Sequence, residues 1–167
     1  MTTPPPDRLN AEIGVLKRRE IEARIIGPLV DALGEEFGRE RVLDVLRRVI
    51  VQIAHQQGAA LVEQTGGNTL EHFGAVREQW QRGNALETEV LEQSPERLSF
   101  NVTRCRYAEL YQELGLPELG ALIHCSRDFA MAEGFSGDLE LKRTQTLMQG
   151  ASHCDFRFRK KSGSDPD

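Results

Sequence analysis

The chain has 167 residues, of which 39% are hydrophobic and 28% charged, and its formal net charge is −5 at pH 7. This length predicts a single domain with a sizeable core, and this composition is typical of a folded globular protein rather than a disordered one. The negative charge argues against a general affinity for nucleic acid or for anionic membranes, and no apolar run approaches the roughly 20 residues that cross a bilayer.

The chain ends and the cysteines bear on the cellular compartment. Residues 1–7 hold a proline run and lack the basic start and apolar core of a signal peptide. We expect this segment and residues 160–167 to be disordered tails around one domain over residues 8–159. Three cysteines cannot all pair within one chain, so at least one is a free thiol or a ligand. A cytoplasmic protein with reduced cysteines is therefore expected.

The first part of the domain, residues 8–82, is predicted to be helical. A helix over residues 6–33 carries an apolar stripe and is expected to kink or split at Gly27-Pro28. A second long helix over residues 38–66 is stopped by glycine, and Asn68 or Thr69 caps a short third helix. The stripe of the first helix consists of Ile13, Leu16, Ile21, Ile25, Leu29 and Leu33. The stripe of the second consists of Leu43, Leu46, Ile50, Ile53 and Leu61.

The second part, residues 85–159, mixes strands and helices. Period-two alternation predicts strands at residues 86–91, 98–103, 139–147 and 153–159. Helices are expected over residues 106–114 and from Pro117 through Phe129. The fold class that follows is α+β, with N-terminal helices packed on a small C-terminal antiparallel β-sheet and two interspersed helices.

Alternation also assigns faces within the strand at residues 98–103. It places the apolar residues Leu98, Phe100 and Val102 on one face. Cys105 falls on the opposite, more polar face, at the point where the strand meets a helix. We expect this position to favour a cavity. Tyr107 and Tyr111 are four residues apart and can either line that cavity or cover the core.

Reactive side chains are concentrated in the last third of the chain, which holds all three cysteines and two of the four histidines. On a helix, Asp128 lies three residues from Cys125 and four from His124, so its carboxylate is expected near both. A carboxylate can orient an imidazole, and an imidazolium lowers the pKa of a neighbouring thiol. The alternative is that Cys125, which shares a stripe with Leu122 and Phe129, is a small core residue.

A second reactive pair, Cys154 and Asp155, lies on a predicted strand. Their side chains point to opposite faces, so they form no tight dyad unless a bulge intervenes. Core packing of Cys154 and an ion pair of Asp155 with Arg157 or Arg159 are the alternatives. Three cysteines also suggest a metal site, with Cys105, Cys125 and Cys154 as ligands, although no C-x-x-C pair is present and the spacings match no zinc finger.

Four segments of the second part resemble one family of bacterial proteins, the L-2-amino-thiazoline-4-carboxylic acid hydrolases. The segments are residues 104–111, residues 124–129, residues 143–150 and residues 154–158. The positions that correspond to the family's signature are Cys105, Cys125, Asp128, Thr146, Gly150, Cys154, Asp155 and Phe156.

The resemblance implies a hydrolase that opens a cyclic carbon–nitrogen bond outside peptides, adding water to the amidine-like carbon of a thiazoline. Cys125 is our preferred nucleophile, with Cys105 second. The further catalytic candidates are His124, Asp128, Cys154 and Asp155. The candidates for substrate binding are Arg104, Arg143, Tyr107 and Thr146.

This reading requires a small-molecule substrate and no cofactor, and it involves neither nucleic acid nor membrane. A non-catalytic small-molecule or metal-binding sensor domain is the alternative, because fold does not determine function. A homodimer through the long N-terminal helices is compatible with the pattern, although no clear seam marks it.

Overall fold

The computed structural model describes residues 10–161, with burial and side chains described from residue 12. The chain forms seven α-helices, one π-helix, two 3₁₀ turns and four strands within this range. The α-helices are α1 (Asn10–Ile13), α2 (Val15–Phe37), α3 (Arg39–Thr65), α4 (Leu70–Gln81), α5 (Arg106–Glu113), α6 (Pro117–Gly120) and α7 (Arg127–Phe135). The strands are β1 (Leu86–Gln93), β2 (Arg97–Cys105), β3 (Leu139–Lys142) and β4 (Cys154–Lys160). The π-helix spans Ala121–Cys125, and the 3₁₀ turns span Arg82–Asn84 and Leu147–Gln149.

The four strands form one antiparallel sheet in the order β1-β2-β4-β3, which confirms the predicted α+β class. The predicted apolar face of β2 is also confirmed, because Leu98, Phe100 and Val102 are all buried. Phe100 pairs with Phe156 across β2 and β4, and their rings stack with centroids 5.0 Å apart. Cross-strand aromatic pairs of this kind hold the register of a sheet.

The main core lies between this sheet and helices α4 and α7. Phe73 of α4 is its centre, with the rings of Phe135 and Phe158 at 5.1 Å and 4.9 Å. Helix α3 packs against α7 with very little space between the two backbones. A Cβ on Gly134 would meet the backbone carbonyl of His55 at 2.0 Å, so only glycine permits this approach.

The first helix differs from its prediction in two ways. It breaks at Gly14, which adopts a left-handed φ of 72°, whereas α2 continues through Pro28. The predicted stripe is also not the buried face. Most of it is exposed, namely Ile13, Ile21, Ile25, Leu29 and Leu33. The buried residues of α2 are Arg19, Ala23, Gly27 and Val30. Ala23 and Gly27 have small side chains, or none, and so let the helix approach its neighbours closely. Residues 6–9 of the predicted helix lie outside the described residues.

Strand β3 is shorter than predicted. It ends at Lys142 rather than near residue 147, because the carboxylate of Asp155 accepts hydrogen bonds from the backbone amides of Thr144 and Gln145 at 2.9 Å. Those amides are then unavailable for a strand ladder. The loop that follows passes over the C-terminal half of the sheet and reaches the functional residues described below.

Most of the remaining boundaries are close to those predicted. The helix predicted from Pro117 through Phe129 is instead divided into α6, the π-helix and α7, and it extends to Phe135. Of the two predicted tails, residues 160 and 161 are described, whereas residues 1–7 and 162–167 lie outside the described residues. Thr69 caps α4 by accepting a hydrogen bond from the backbone amide of His72, and Gly66 ends α3 in the left-handed conformation. Lys160 pairs with Leu139 at the end of β4. No helix in the described part of the chain is both long and apolar enough to cross a bilayer.

Candidate active site

The His124-Cys125 dipeptide lies at the end of a π-helix. The amide of Ser126 donates to the carbonyl of Ala121 at 3.0 Å, a five-residue step instead of the four-residue step of an α-helix. The π-turn begins beside Gly120, where a Cβ would meet the ring of Tyr111 at 2.6 Å. Single π-turns are uncommon and occur frequently at functional sites, so this is a structural signal that helical spacing alone does not contain.

Asp128 has a partner on a different element of the fold. Its carboxylate forms a close ion pair with Arg143 of the loop after β3, and Arg143 also donates to the Cys125 carbonyl at 3.0 Å. The guanidinium of Arg143 lies over the rings of Phe129 and Phe156, with centroids 5.1 Å and 5.3 Å away. Arg143 therefore ties the 143–146 loop to the end of the π-helix.

Burial governs the protonation of the Asp128 carboxylate. The side chain of Asp128 is 18% exposed and that of Arg143 is 7% exposed. Burial raises the pKa of Asp128 to about 6, against the opposing pull of the Arg143 charge and hydrogen bond. The carboxylate thus changes charge close to neutral pH.

The three thiols lie near this pair and near one another. The charges of Asp128 and Cys154 act on both Cys105 and Cys125, and those of Asp128 and Arg143 act on Cys154. Burial raises the pKa of Cys105 to about 11 and raises those of Cys125 and Cys154 as well. All three are therefore protonated at neutral pH, and the structure contains no preformed thiolate among them.

Cys105 does not lie on the polar face that strict alternation predicts. Opposite Glu87 and Thr88 of β1, the partners on β2 are Arg104 and Val102, so Thr103 is an extra residue in a β-bulge. The bulge turns Arg104 outward and Cys105 toward the core. There Cys105 is a neighbour of the other two thiols. Cys154 is buried as well, and it accepts a hydrogen bond from the Leu147 amide at 3.2 Å.

His124 supplies a neutral imidazole. Its ring stacks on Tyr107 with centroids 4.1 Å apart, and its Nδ1 atom is buried without a hydrogen-bond partner among the described residues. Burial holds the pKa of His124 well below its ordinary value, and the positive charges of Arg19, Arg127 and Arg143 lower it further. His124 can therefore accept a proton but cannot serve as a resident imidazolium that lowers a thiol pKa.

Two buried arginines were not singled out from the sequence. Arg19 of α2 is 6% exposed and Arg127 of α7 is 4% exposed. Arg19 lies within a run of charged residues that is typical of a solvated helix face, so no sequence signal distinguishes it. Arg127 adjoins the reactive segment, but its burial against Gln57 of α3 depends on tertiary packing.

Several candidates from the sequence have structural partners instead. Arg104 is exposed and bonds Glu109 and Glu87. The Thr146 hydroxyl caps the 3₁₀ turn by accepting from the Gln149 amide at 3.2 Å. Asp155 holds the 143–146 loop; although burial alone would raise its pKa, the hydrogen bonds from Thr144 and Gln145 lower it overall. The ion pair of Asp155 with Arg157 or Arg159 is absent from the described contacts, since Arg157 bonds Asn101 and Arg159 bonds Glu140.

Within the described residues, no group of three or more histidine, cysteine, aspartate or glutamate side chains is arranged to hold a metal ion. The three thiols are accordingly free cysteines in the structure. A cleft of about 560 Å³ borders the π-helix, with Ala121, Leu122 and Ser126 along one side and Met148 on another. The cleft is open to solvent next to the reactive segment.

Comparison with known proteins assigns the chain to a family. The model of the L-2-amino-thiazoline-4-carboxylic acid hydrolase family matches residues 18–158. The chain belongs to this family. No curated protein matches the chain in sequence. The family match covers both the helical part and the mixed part, so it extends well beyond the segments that carried the resemblance.

Two solved structures share the fold of this hydrolase-family protein. One is the phenol-responsive sensory domain of the transcription activator PoxR with phenol, at a TM-score of 0.52, 10% identity, and coverage of 81% of this chain and 73% of that chain. The other is a trafficking protein particle complex subunit 3 from Naegleria fowleri covalently bound to palmitic acid, at a TM-score of 0.51, 12% identity, and coverage of 87% and 96%. At these identities the likeness concerns the fold alone.

Seven of the eight positions that match the family's signature fall into two groups in this protein, and the eighth, Phe156, stacks on Phe100 in the sheet. One group, which consists of the three cysteines and Asp128, lies near the C-terminal end of the π-helix. The other group shapes the loop between β3 and β4, where Thr146 forms the cap, Gly150 takes a left-handed φ of 89° and Asp155 binds the loop amides. The second group thus holds in place the loop from which Arg143 reaches the first.

Proposed function

We propose that this protein hydrolyses a non-peptide cyclic carbon–nitrogen bond of the amidine or thiazoline type by cysteine-dependent chemistry. The observation that supports this most directly is the family match together with the convergence of Cys125, a neutral His124 and the Asp128–Arg143 pair. Each is a group that an amidine hydrolase can use. The proposed reaction requires no cofactor and takes place in the cytoplasm, where the three cysteines stay reduced.

In the proposed first step, the Cys125 sulfur bonds to the amidine carbon. Its proton is passed through the neutral imidazole of His124 to the ring nitrogen, and a second proton from the exocyclic amino group, which becomes an imine, lets that nitrogen leave as the amine when the carbon–nitrogen bond breaks. In the second step, water adds to the same carbon, and the Cys125 sulfur departs and regains a proton. A carbamoyl-cysteine results from L-2-amino-thiazoline-4-carboxylate, and no oxidant or reductant takes part.

The substrate supplies the driving force for ionising a buried thiol. The resting protein has no thiolate among the three cysteines. A basic amidine becomes a cation once it takes the thiol proton, and the amidinium and the thiolate then stabilise each other in a poorly solvated site. In this proposal Asp128, whose pKa is about 6, binds the cationic nitrogens as a carboxylate above that pH. Arg143 positions both groups through its bonds to the Asp128 carboxylate and the Cys125 carbonyl.

The experiment is turnover of L-2-amino-thiazoline-4-carboxylate by the purified protein, followed by mass spectrometry before and after treatment with a chelator. The proposal expects carbamoyl-cysteine in both samples and none with Cys125→Ser. Cys105→Ser and Cys154→Ser serve as matched controls that remove a neighbouring thiol without removing the nucleophile. Full turnover by Cys125→Ser would exclude that residue as nucleophile, and turnover only before chelation would replace the thiol mechanism with a metal-dependent one.

A non-catalytic ligand-binding role is the second candidate, and one observation favours it. All three thiols are protonated in the resting protein, as a pocket that binds without reacting requires. The test is thermal unfolding in the presence of candidate cyclic ligands. A rise in melting temperature without product formation would support binding, because a ligand that binds only the folded state stabilises it.

A further inference from the structure

Three side chains of the buried centre carry a polar atom without a hydrogen-bond partner among the described residues. The atoms are Arg19 Nε, Tyr111 Oη and His124 Nδ1. Tyr111 is fully buried and Arg19 is 94% buried. A buried polar group left unpaired costs about 1–3 kcal/mol, so a polar ligand that pairs with these neighbouring atoms would be stabilised. Two further unpaired nitrogens belong to Arg77 of α4, whose guanidinium lies over the Phe100 ring of the sheet.

The three side chains are neighbours. The charge of Arg19 acts on both Tyr111 and His124, and Tyr111 also senses the thiol of Cys125. The Tyr111 ring packs in one apolar cluster with Ala23, which lies one helical turn after Arg19 on α2. An occupant that reaches Arg19 and Tyr111 would therefore lie within range of the reactive segment.

The same region has an excess of positive charge. Glu22 accepts hydrogen bonds from both Arg18 and Arg19, and the carboxylate of Asp128 is bound to Arg143. In the described part of the chain, the hydrogen bond of the Arg127 side chain goes to the neutral amide of Gln57. Burial lowers the pKa of Arg127 to about 10, and the charge of Arg19 contributes, so an anion bound beside these two guanidinium groups would be stabilised.

We propose that Arg19 and Tyr111 form a carboxylate-binding subsite, in which the Arg19 Nε–H and the Tyr111 hydroxyl each donate a hydrogen bond to a carboxylate of the substrate. This inference rests on the proposed function and specifies which group of the substrate the protein selects. The substrate class becomes a ring derived from an amino acid, whose carboxylate lies against α2 and α5 while its amidine carbon reaches Cys125. His124 lies between the two parts, and its Nδ1 remains free to handle the proton.

The subsite is tested by measuring how tightly the protein binds two matched compounds that it cannot turn over. L-thiazolidine-4-carboxylate and its 4-carboxamide have a saturated ring that the enzyme cannot hydrolyse, and they differ in the negative charge. Calorimetry should show that the wild-type protein binds the carboxylate at least about tenfold more tightly than the amide, because charged hydrogen bonds are the stronger ones. Equal affinities would overturn the proposal.

Tyr111→Phe is the most informative variant. It removes one unpaired hydroxyl and keeps the ring, so the free protein should melt at the same temperature or higher, while its affinity for the carboxylate falls about five- to tenfold. Arg19→Gln should lower that affinity further. Tyr107→Phe is the matched control: its hydroxyl donates to the Trp80 carbonyl at 3.3 Å, so the variant should melt lower and keep the preference for the carboxylate.

The outcomes separate this subsite from the proposed reaction. Suppose that the wild-type protein releases carbamoyl-cysteine, and that Tyr111→Phe and Arg19→Gln both keep its preference for the carboxylate. The hydrolase proposal would then stand, and the subsite would be overturned. Binding of the carboxylate that depends on Arg19 and Tyr111, in a protein that releases no product, would support the subsite and contradict the hydrolase.

A separate observation concerns the outer face of α2. Large apolar side chains recur there every four residues and extend onto α1, and each is between 42% and 59% exposed. They are Ile13, Ile21, Ile25, Leu29, Leu33 and Phe37. From Ile21 to Phe37 the row is about 24 Å long at 1.5 Å per residue. Contiguous apolar surface of this kind usually marks an interface.

The charges along α2 indicate what covers this face. Apart from Arg19, which is buried, residues 15–25 contain three basic and two acidic side chains, whereas residues 26–37 contain three acidic and no basic ones. Two α2 helices side by side and antiparallel therefore place the basic half of each against the acidic half of the other, and their apolar rows meet in the middle. We infer that a second copy of this chain docks here about a twofold axis, since such an interface uses the same patch on both copies.

Light scattering after gel filtration, at about 100 µM protein and moderate salt, tests the pairing. A dimer is expected for the wild-type chain, and Ile25→Glu with Leu29→Glu should give a folded monomer, because it places like charges at the centre of the interface. Leu91→Glu, at an apolar residue of β1 that is 50% exposed, is the control and should remain dimeric. A wild-type monomer, or a dimer that survives the double substitution, would overturn this inference.

Discussion

The ionisation of Asp128 provides a quantitative test of how burial and ion pairing compete in this site. Burial raises the pKa of Asp128 from its ordinary 3.8 to about 6 even though the carboxylate is paired with Arg143. A carboxylic acid whose pKa is higher in the folded state than in the unfolded state keeps its proton to a higher pH when the protein is folded. Its ionisation therefore lowers the free energy of unfolding. This loss of stability is absent below about pH 4, grows between pH 4 and pH 6, and is fully present above pH 6.

The perturbation is Asp128→Asn, which removes the titration and keeps the shape. The pKa difference corresponds to about 3 kcal/mol at 1.36 kcal/mol per pKa unit, which is an upper value for a side chain that keeps some contact with water. The variant itself leaves Arg143 buried without its carboxylate and is expected to be less stable overall. The prediction therefore concerns how the difference between wild type and variant changes with pH, rather than its absolute size.

Urea unfolding at several pH values between 4 and 7 measures this quantity. The free energy of unfolding of the wild type, relative to that of the variant, should fall by roughly 2–3 kcal/mol as the pH rises over this range. Asp155→Asn provides a control with the opposite sign, because hydrogen bonds in the loop lower the pKa of Asp155 and its contribution should grow with pH. A wild-type advantage that increases with pH at Asp128 would show that the ion pair outweighs burial, and the reasoning would be refuted.

Three further predictions follow from burial and close packing. Alkylation of Cys105 in the folded protein should be slow at pH 7.5 and accelerate toward pH 11, because burial raises its pKa to about 11. Peptide mass spectrometry measures the labelling, and fast labelling at neutral pH would contradict this prediction. Gly134→Ala should cost at least about 1–3 kcal/mol of unfolding free energy because its Cβ would collide with the α3 backbone, whereas Gly137→Ala, in open space, should change stability by less than about 0.5 kcal/mol. Thr146→Ala should cost about 1 kcal/mol by removing the cap of the 3₁₀ turn, measured by the same urea unfolding, and no change would mean that the cap contributes nothing.

The buried face of α2 shows why an apolar pattern can mislead. The periodic isoleucines and leucines of this helix are exposed, while a face of Ala23, Gly27, Val30 and Arg19 is buried. Hydrophobic periodicity identifies the face that most needs covering but does not say whether this chain or another molecule covers it. Close helix packing favours small side chains, and these contribute little to an apolar pattern.

The candidate site shows a similar division. The concentration of cysteines and histidines marked the region on which the proposed function rests, because reactive residue types are few and can be counted along a chain. The pairing of Asp128 with Arg143 was not foreseen because the two residues lie on different elements, and the inward turn of Cys105 was not foreseen because a β-bulge adds one residue to the expected period. One extra residue is enough to turn a side chain toward a different neighbour.

The sequence by itself determined the α+β class, most element positions, the apolar face of β2 and the reactive segment around His124-Cys125. These depend on local periodicity, caps and residue chemistry, which are written along the chain. Tertiary structure alone decided that Arg19 and Arg127 are buried and that burial raises the pKa values of the thiols. It also left Tyr111 and His124 with polar atoms that have no hydrogen-bond partner among the described residues. Burial and electrostatic fields arise from residues distant in sequence, so no local pattern contains them.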